Sequence, residues 1–98
     1  MKVKESIDIR GTRHHDGMNT YHNAYIYVDG ELVHTEEYKY GYGRQYLYTG
    51  MVWLRENGYI EGWERNGRDT EPAPWIWAEE NGIKLDYSAT DVKRKKDM

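Results

Sequence analysis

The chain has no cysteine and no phenylalanine, and only two prolines among its 98 residues. Without cysteine there is no disulfide, no thiolate nucleophile and no thiolate metal ligand, a usage that fits a reducing compartment. Without phenylalanine, aromatic core volume must come from four tryptophans and ten tyrosines. These side chains bury large areas but carry a polar tip. No apolar run approaches the roughly 20 residues that span a bilayer. Met1-Lys-Val-Lys-Glu5 lacks the apolar stretch of a signal peptide. These absences lead to the expectation of a cytoplasmic protein without a membrane span. Neither sign of charge dominates, with 14 Lys and Arg against 17 Asp and Glu and a formal net of −3, which argues against a general nucleic-acid coat. Positive charge is nonetheless clustered, at Lys2, Lys4, Arg10 and Arg13 and again at Lys93-Arg94-Lys95-Lys96.

What is present points to one small domain. A chain this short buries only about 60–65% of its unfolded surface, so its stability margin is small. Val3, Glu5, Ile7 and Ile9 alternate with polar residues up to Arg10, the period of a half-buried strand. The following Gly11 to Met18 reads as a polar loop. Thr20–Val28 and Glu31–Tyr40 flank Asp29-Gly30, a strong two-residue hairpin signal. That turn would set Val28 opposite Glu31, His34 opposite Tyr25 and His22 opposite Glu37. One face would then carry Ala24, Ile26, Val28, Val33 and Thr35. The other would carry Tyr21, Tyr25, Tyr27, Leu32, His34 and Tyr38, and extend to Tyr40 and Tyr42.

Gly41-Tyr42-Gly43 permits a sharp corner, after which Arg44–Asn57 reads as a helix. Its apolar stripe is Leu47, Gly50, Met51 and Leu54, with Tyr46 and Trp53 at the edge and Gly58 as the stop. Glu61–Thr70 reads as a loop with Trp63 as a pin. A second short helix follows Pro72-Ala73-Pro74 and ends at Gly82. Ile83, Leu85 and Tyr87 alternate with Lys84, Asp86 and Ser88 as a last strand. The expectation is an α+β fold: a small antiparallel sheet of about four strands, order β-β-β-α-α-β, packed with two helices. Residues 1–90 would form the domain and 91–98 a charged tail.

Eight of the ten tyrosines fall between Tyr21 and Tyr48. They serve either as a recognition surface or as core beneath a helix. Tyr25, Tyr27 and Tyr38 fit the structural reading. Tyr40, Tyr42 and Tyr48, at the corner and on the helix side away from Leu47, fit exposure. A protein-binding site would therefore centre on Tyr40, Tyr42, Arg44, Gln45 and Tyr48, because tyrosine and arginine are enriched at interface hot spots. An alternative is a single-stranded nucleic-acid binder that stacks bases on the tyrosines and meets phosphates with Lys39, Arg44, Arg55, Lys93 and Arg94. A third is a self-assembling structural protein, with the tyrosine face as a homodimer interface.

Other signals are weak. The Gly-Tyr-Gly corner lacks the remainder of a phosphate-loop motif. His14, His15, Asp16 and His22 lack the spacing of a metal site, and neighbouring histidines diverge on an extended chain, so a solvated loop is the better reading. No carboxylate, histidine or serine set has the spacing of a catalytic motif. The expectation is a protein that is not an enzyme and has no cofactor and no metal.

Asn19-Thr-Tyr-His22, the Asp-Gly hairpin, Tyr40-Gly-Tyr-Gly43 with Gln45-Tyr46, Gly58-Tyr59 and Asp91-Val-Lys-Arg-Lys-Lys-Asp97 together resemble small bacteriophage-encoded proteins of unassigned function. The resemblance covers most of the chain, with Met98 standing where the pattern has leucine. It implies a phage accessory setting, and so a protein that binds and inhibits or redirects a host or phage macromolecule, such as a defence or nucleic-acid-processing complex. It implies no activity.

Overall fold

A computed structural model describes residues 2–63 and 71–98. The elements are β1 (Ser6–His15), β2 (Thr20–Val28), β3 (Glu31–Tyr40), α1 (Gln45–Glu56), α2 (Pro74–Glu80) and β4 (Lys84–Val92), followed by a short 3-10 turn at Lys95–Asp97. Over the described residues the fold is α+β, with four strands and two α-helices as the sequence predicts. The expected loop over 61–70 lies partly outside the described residues.

The strands order β3-β2-β1-β4. β1, β2 and β3 form an antiparallel meander, but β4 runs parallel to β1, with Ile9 beside Tyr87. The sheet is therefore mixed rather than antiparallel. β4 follows two helices, and its first N–H bonds to the Glu5 carbonyl at the start of β1 (3.0 Å). It thus enters at the end where β1 enters and runs the same way. Both helices pack on one face. A Cβ on Gly50 of α1 would lie 2.7 Å from Ile9 Cδ1, and one on Gly11 would lie 2.6 Å from the Tyr46 ring. Trp75 of α2 stacks on Tyr87 at 6.1 Å. The core is Ile7, Ile9, Ala24, Ile26 and Val28 of the sheet beneath Tyr46, Leu47, Met51 and Leu54 of α1, closed by Ile60, Trp63, Trp77 and Ala78.

β1 differs from the expectation at both ends. Val3 lies before it, bonded to the Tyr59 carbonyl. Gly11 continues the strand instead of ending it, because its bare backbone admits the Tyr46 ring. His14 and His15 are thus strand residues, opposite Tyr21 and Thr20. Asp16 closes the β1–β2 turn by accepting the N–H groups of Met18 (2.9 Å) and Asn19 (2.8 Å).

The hairpin at Asp29-Gly30 forms in the expected register at Val28–Glu31 and Tyr27–Leu32. Two bulges in β3 then shift it, so that Ile26 faces His34, Ala24 faces Glu36 and His22 faces Lys39. Each extra residue moves the rest of β3 to the other face. His34 accordingly leaves the tyrosine side and stacks flat on Trp53 of α1, 4.3 Å between ring centres. At the second bulge Tyr38 takes φ +49, and its N–H is accepted by Asn23 Oδ1 at 2.7 Å. Asp29 also ties the N-terminus, accepting the N–H groups of Lys4, Glu5 and Ser6. These bonds hold its carboxyl below the usual carboxylate value.

Candidate functional site

Among the described residues, neither α1 nor α2 covers the reverse face of the sheet. Tyr21, Tyr25 and Tyr27 of β2 lie there, half-buried, because their partners in β1 are Asp8, Arg10 and His14 rather than the core isoleucines. Tyr21 stacks on Tyr38 at 4.5 Å and meets the edge of Tyr40 at 5.8 Å. The C-terminal segment crosses to this side, where Lys95 Nζ sits 4.3 Å from the Tyr38 ring centre. Residues 91–98 therefore begin inside β4 and end against the tyrosines.

The corner that follows β3 is the most exposed aromatic feature of the described residues. Tyr40 is 64% exposed and Tyr42 76%. Its backbone is nonetheless held from two strands, β2 and β1, with β4 bracing the β1 contact. The Gly41 N–H bonds to the Thr20 carbonyl of β2 (3.0 Å). His22, also of β2, donates from Nδ1 to the Gly41 carbonyl (3.2 Å) and accepts the Thr49 hydroxyl on Nε2 (2.8 Å). The carbonyl can only accept, which sets this tautomer. Arg13 of β1 donates from Nη1 to the Gly43 carbonyl (2.9 Å) and from Nε to Asp91 of β4 (2.7 Å). Gly41 at φ +144 and Gly43 at φ +62 supply backbone angles that residues with a Cβ rarely adopt. The turn then closes into α1 through Gln45 N–H to Tyr42 carbonyl and Leu47 N–H to Arg44 carbonyl.

All five residues expected at a protein-binding site come together here. Tyr40, Tyr42, Arg44, Gln45 and Tyr48, with Gly41, line one open hollow of about 550 Å³. A second hollow of about 290 Å³ shares Gln45 and Tyr48 and runs between β3 and α1 past Glu36, Lys39 and Trp53. The guanidinium of Arg44 lies over Trp75, 5.2 Å from its ring centre. Rigid aromatic knobs beside hollows are what a protein partner needs for anchoring.

The cations expected to meet phosphates are not gathered. Lys39 lies 3.4 Å from Glu36, Arg55 pairs with Glu71 (3.1 Å) and the Trp63 carbonyl (3.1 Å), and Arg94 pairs with Asp97 (3.0 Å). Lys93 is exposed at the root of the tail. Among the described residues, no group of three or more histidines and carboxylates could hold a metal. His14 and His15 are consecutive in β1 and so point to opposite faces, while His22 is fully buried. No described helix is long and apolar enough to cross a membrane.

Arg13, His22 and Asp91 anchor the corner, and none is legible as an anchor in the sequence. Arg13 and Asp91 are opposed only through the parallel β1–β4 register. No family model, no curated protein and no solved structure matches this chain.

Proposed function

We propose that the protein is a small non-catalytic binding module that docks on a protein partner through the Tyr40–Tyr48 corner. Its setting is that of a bacteriophage accessory protein in the host cytoplasm, and its target a host or phage complex engaged in defence or nucleic-acid processing, which it inhibits. The setting and the target class rest on the sequence resemblance. The binding reading rests on one observation: two tyrosines, 64% and 76% exposed, stand on a backbone fixed by Arg13, His22 and Thr20. A rigid aromatic knob loses little conformational entropy when it is buried by a partner, which favours tight binding from a small area. The pairing of Lys39, Arg55 and Arg94 with carboxylates disfavours the nucleic-acid reading, because each cation would have to give up a partner to meet a phosphate.

The test is affinity capture from bacterial lysate with the wild-type protein and a Tyr40→Ala/Tyr42→Ala variant. Both side chains are exposed, so the variant keeps its fold. We expect one predominant captured protein, reduced at least about tenfold in the variant, since hot-spot truncations cost about 2 kcal/mol or more. Equal capture by a folded variant would contradict the assignment.

A further inference from the structure

The two free edges of the sheet are built differently. β3 is broken by two bulges, and its exposed end carries Glu36, Glu37 and Lys39. Bulges and charges are the usual protection of an edge strand against pairing with another chain. β4 has neither bulge nor proline along its nine residues and pairs with β1 in unbroken register from Lys84 to Val92. The Lys84 N–H points to β1, where it meets the Glu5 carbonyl. Backbone groups alternate sides along a strand, so Leu85, Tyr87, Ala89 and Asp91 present their N–H and C=O groups outward. Among the described residues, no hydrogen bond is made to these outward groups. Beside the same edge, α2 leaves Trp75 38% and Ile76 48% exposed, with Trp75 stacked on Tyr87. An unbroken and unpaired edge, charged at Lys84, Asp86 and Asp91 but without a bulge, thus lies next to a partly exposed apolar pair.

We propose that a second copy of this chain pairs with the β4 edge, antiparallel about a two-fold axis through Tyr87, to form one continuous eight-stranded sheet. The sequence of β4 is complementary to itself in this register. Leu85 falls opposite Ala89 of the second copy, Asp86 opposite Ser88 and Lys84 opposite Thr90, so no like charges are opposed. Moving the axis to Ala89 would instead set Lys84 against Arg94. Both copies then keep their helices on the same side, and Trp75 and Ile76 of each α2 meet near the axis. The outward N–H and C=O groups satisfy one another, and the exposed apolar pair is covered in the same step. This interface adjoins the Tyr40–Tyr48 corner where Arg44 lies over Trp75, and leaves Tyr40, Tyr42 and the tyrosine face uncovered.

Sedimentation velocity from micromolar to millimolar concentration tests the proposal. The expected mass rises to twice the 11.7 kDa of one chain. Ala89→Pro removes an outward N–H and leaves the β1 ladder intact, a position where an edge strand tolerates proline. It removes two hydrogen bonds across the axis and is expected to raise the dissociation constant at least about tenfold. Ile76→Asp acts in the same direction through the exposed side of α2. A second readout needs no variant: hydrogen exchange at the amides of Leu85, Tyr87, Ala89 and Asp91 should slow as concentration rises. A wild-type chain that stays monomeric, with those amides fast at every concentration, overturns the proposal, as it would if the edge served a foreign strand instead. A dimer that survives both substitutions at wild-type affinity also overturns it, by placing the interface elsewhere.

Discussion

His22 shows how one residue carries both packing and chemistry. It is buried between the Gly41 carbonyl and the Thr49 hydroxyl. Burial lowers its pKa from the ordinary 6.5, assisted by Lys39 and opposed by the bond to Gly41. The unfolded chain therefore takes up a proton first as pH falls. Stability tied to His22 is complete above about 6.5 and is lost as pH drops through that value towards the lower folded one, by at most about 1.4 kcal/mol per pH unit. Urea titrations between pH 7.5 and 5 should show this decline, and His22→Gln should flatten it. An unchanged slope in the variant would mean that other groups dominate. Gly50 is a second single-residue control. Alanine there gains about 1 kcal/mol of helix propensity, yet its Cβ would press on Ile9, 2.7 Å from Cδ1 and 3.0 Å from Cγ2. We expect Gly50→Ala to lose about 1–3 kcal/mol net, with part regained when Ile9→Val removes Cδ1. A more stable Gly50→Ala protein would contradict the close approach of helix and sheet.

At the scale of elements, the helices were the most legible part. Gly58 and Gly82, at φ +78 and φ +66, end α1 and α2 in the same manner, with Tyr59 N–H bonding back to Leu54 and Ile83 N–H to Ala78. Those stops are visible in Asn57-Gly58 and Asn81-Gly82. The stripe of Leu47, Gly50, Met51 and Leu54 is buried as its spacing predicts, and Tyr46 joins it because Gly11 leaves room for the ring. β3 was legible in its extent, Glu31–Tyr40, but in its register only for the first two residues. Nothing in Val33 or Tyr38 announces a bulge, since neither is a glycine, and Tyr38 holds φ +49 only because Asn23, fifteen residues earlier, accepts its N–H. Asn23→Ala leaves that N–H without a partner and should cost about 1–3 kcal/mol, with loss of the near-ultraviolet tyrosine signal from the Tyr21–Tyr38 stack. Asn23→Asp keeps an acceptor and should cost less. Equal stability of Asn23→Ala and wild type would show that the bulge needs no such support.

At the scale of the whole molecule, the sheet divides the protein into a packed side and a tyrosine side. The alternation in β2 made that division readable, but which side receives the helices was not. Ala24, Ile26 and Val28 could be recognised as one face, whereas the parallel placement of β4 depends on where α2 delivers the chain. The five corner residues were legible as a cluster because they are nearly contiguous in sequence. Their support was not, since Arg13 and Asp91 are distant in sequence, and only in the folded sheet does Asp91 accept from the same guanidinium that donates to the Gly43 carbonyl. If the proposed reading holds, the supported corner, and no other surface, receives the partner. Amide chemical-shift mapping of the labelled protein with the captured partner checks this. Shifts and broadening are expected to concentrate at Tyr40 to Tyr48 and at Arg13. Changes confined to Tyr21, Tyr25 and Tyr27, or to β4 and α2, with the corner undisturbed, would contradict it.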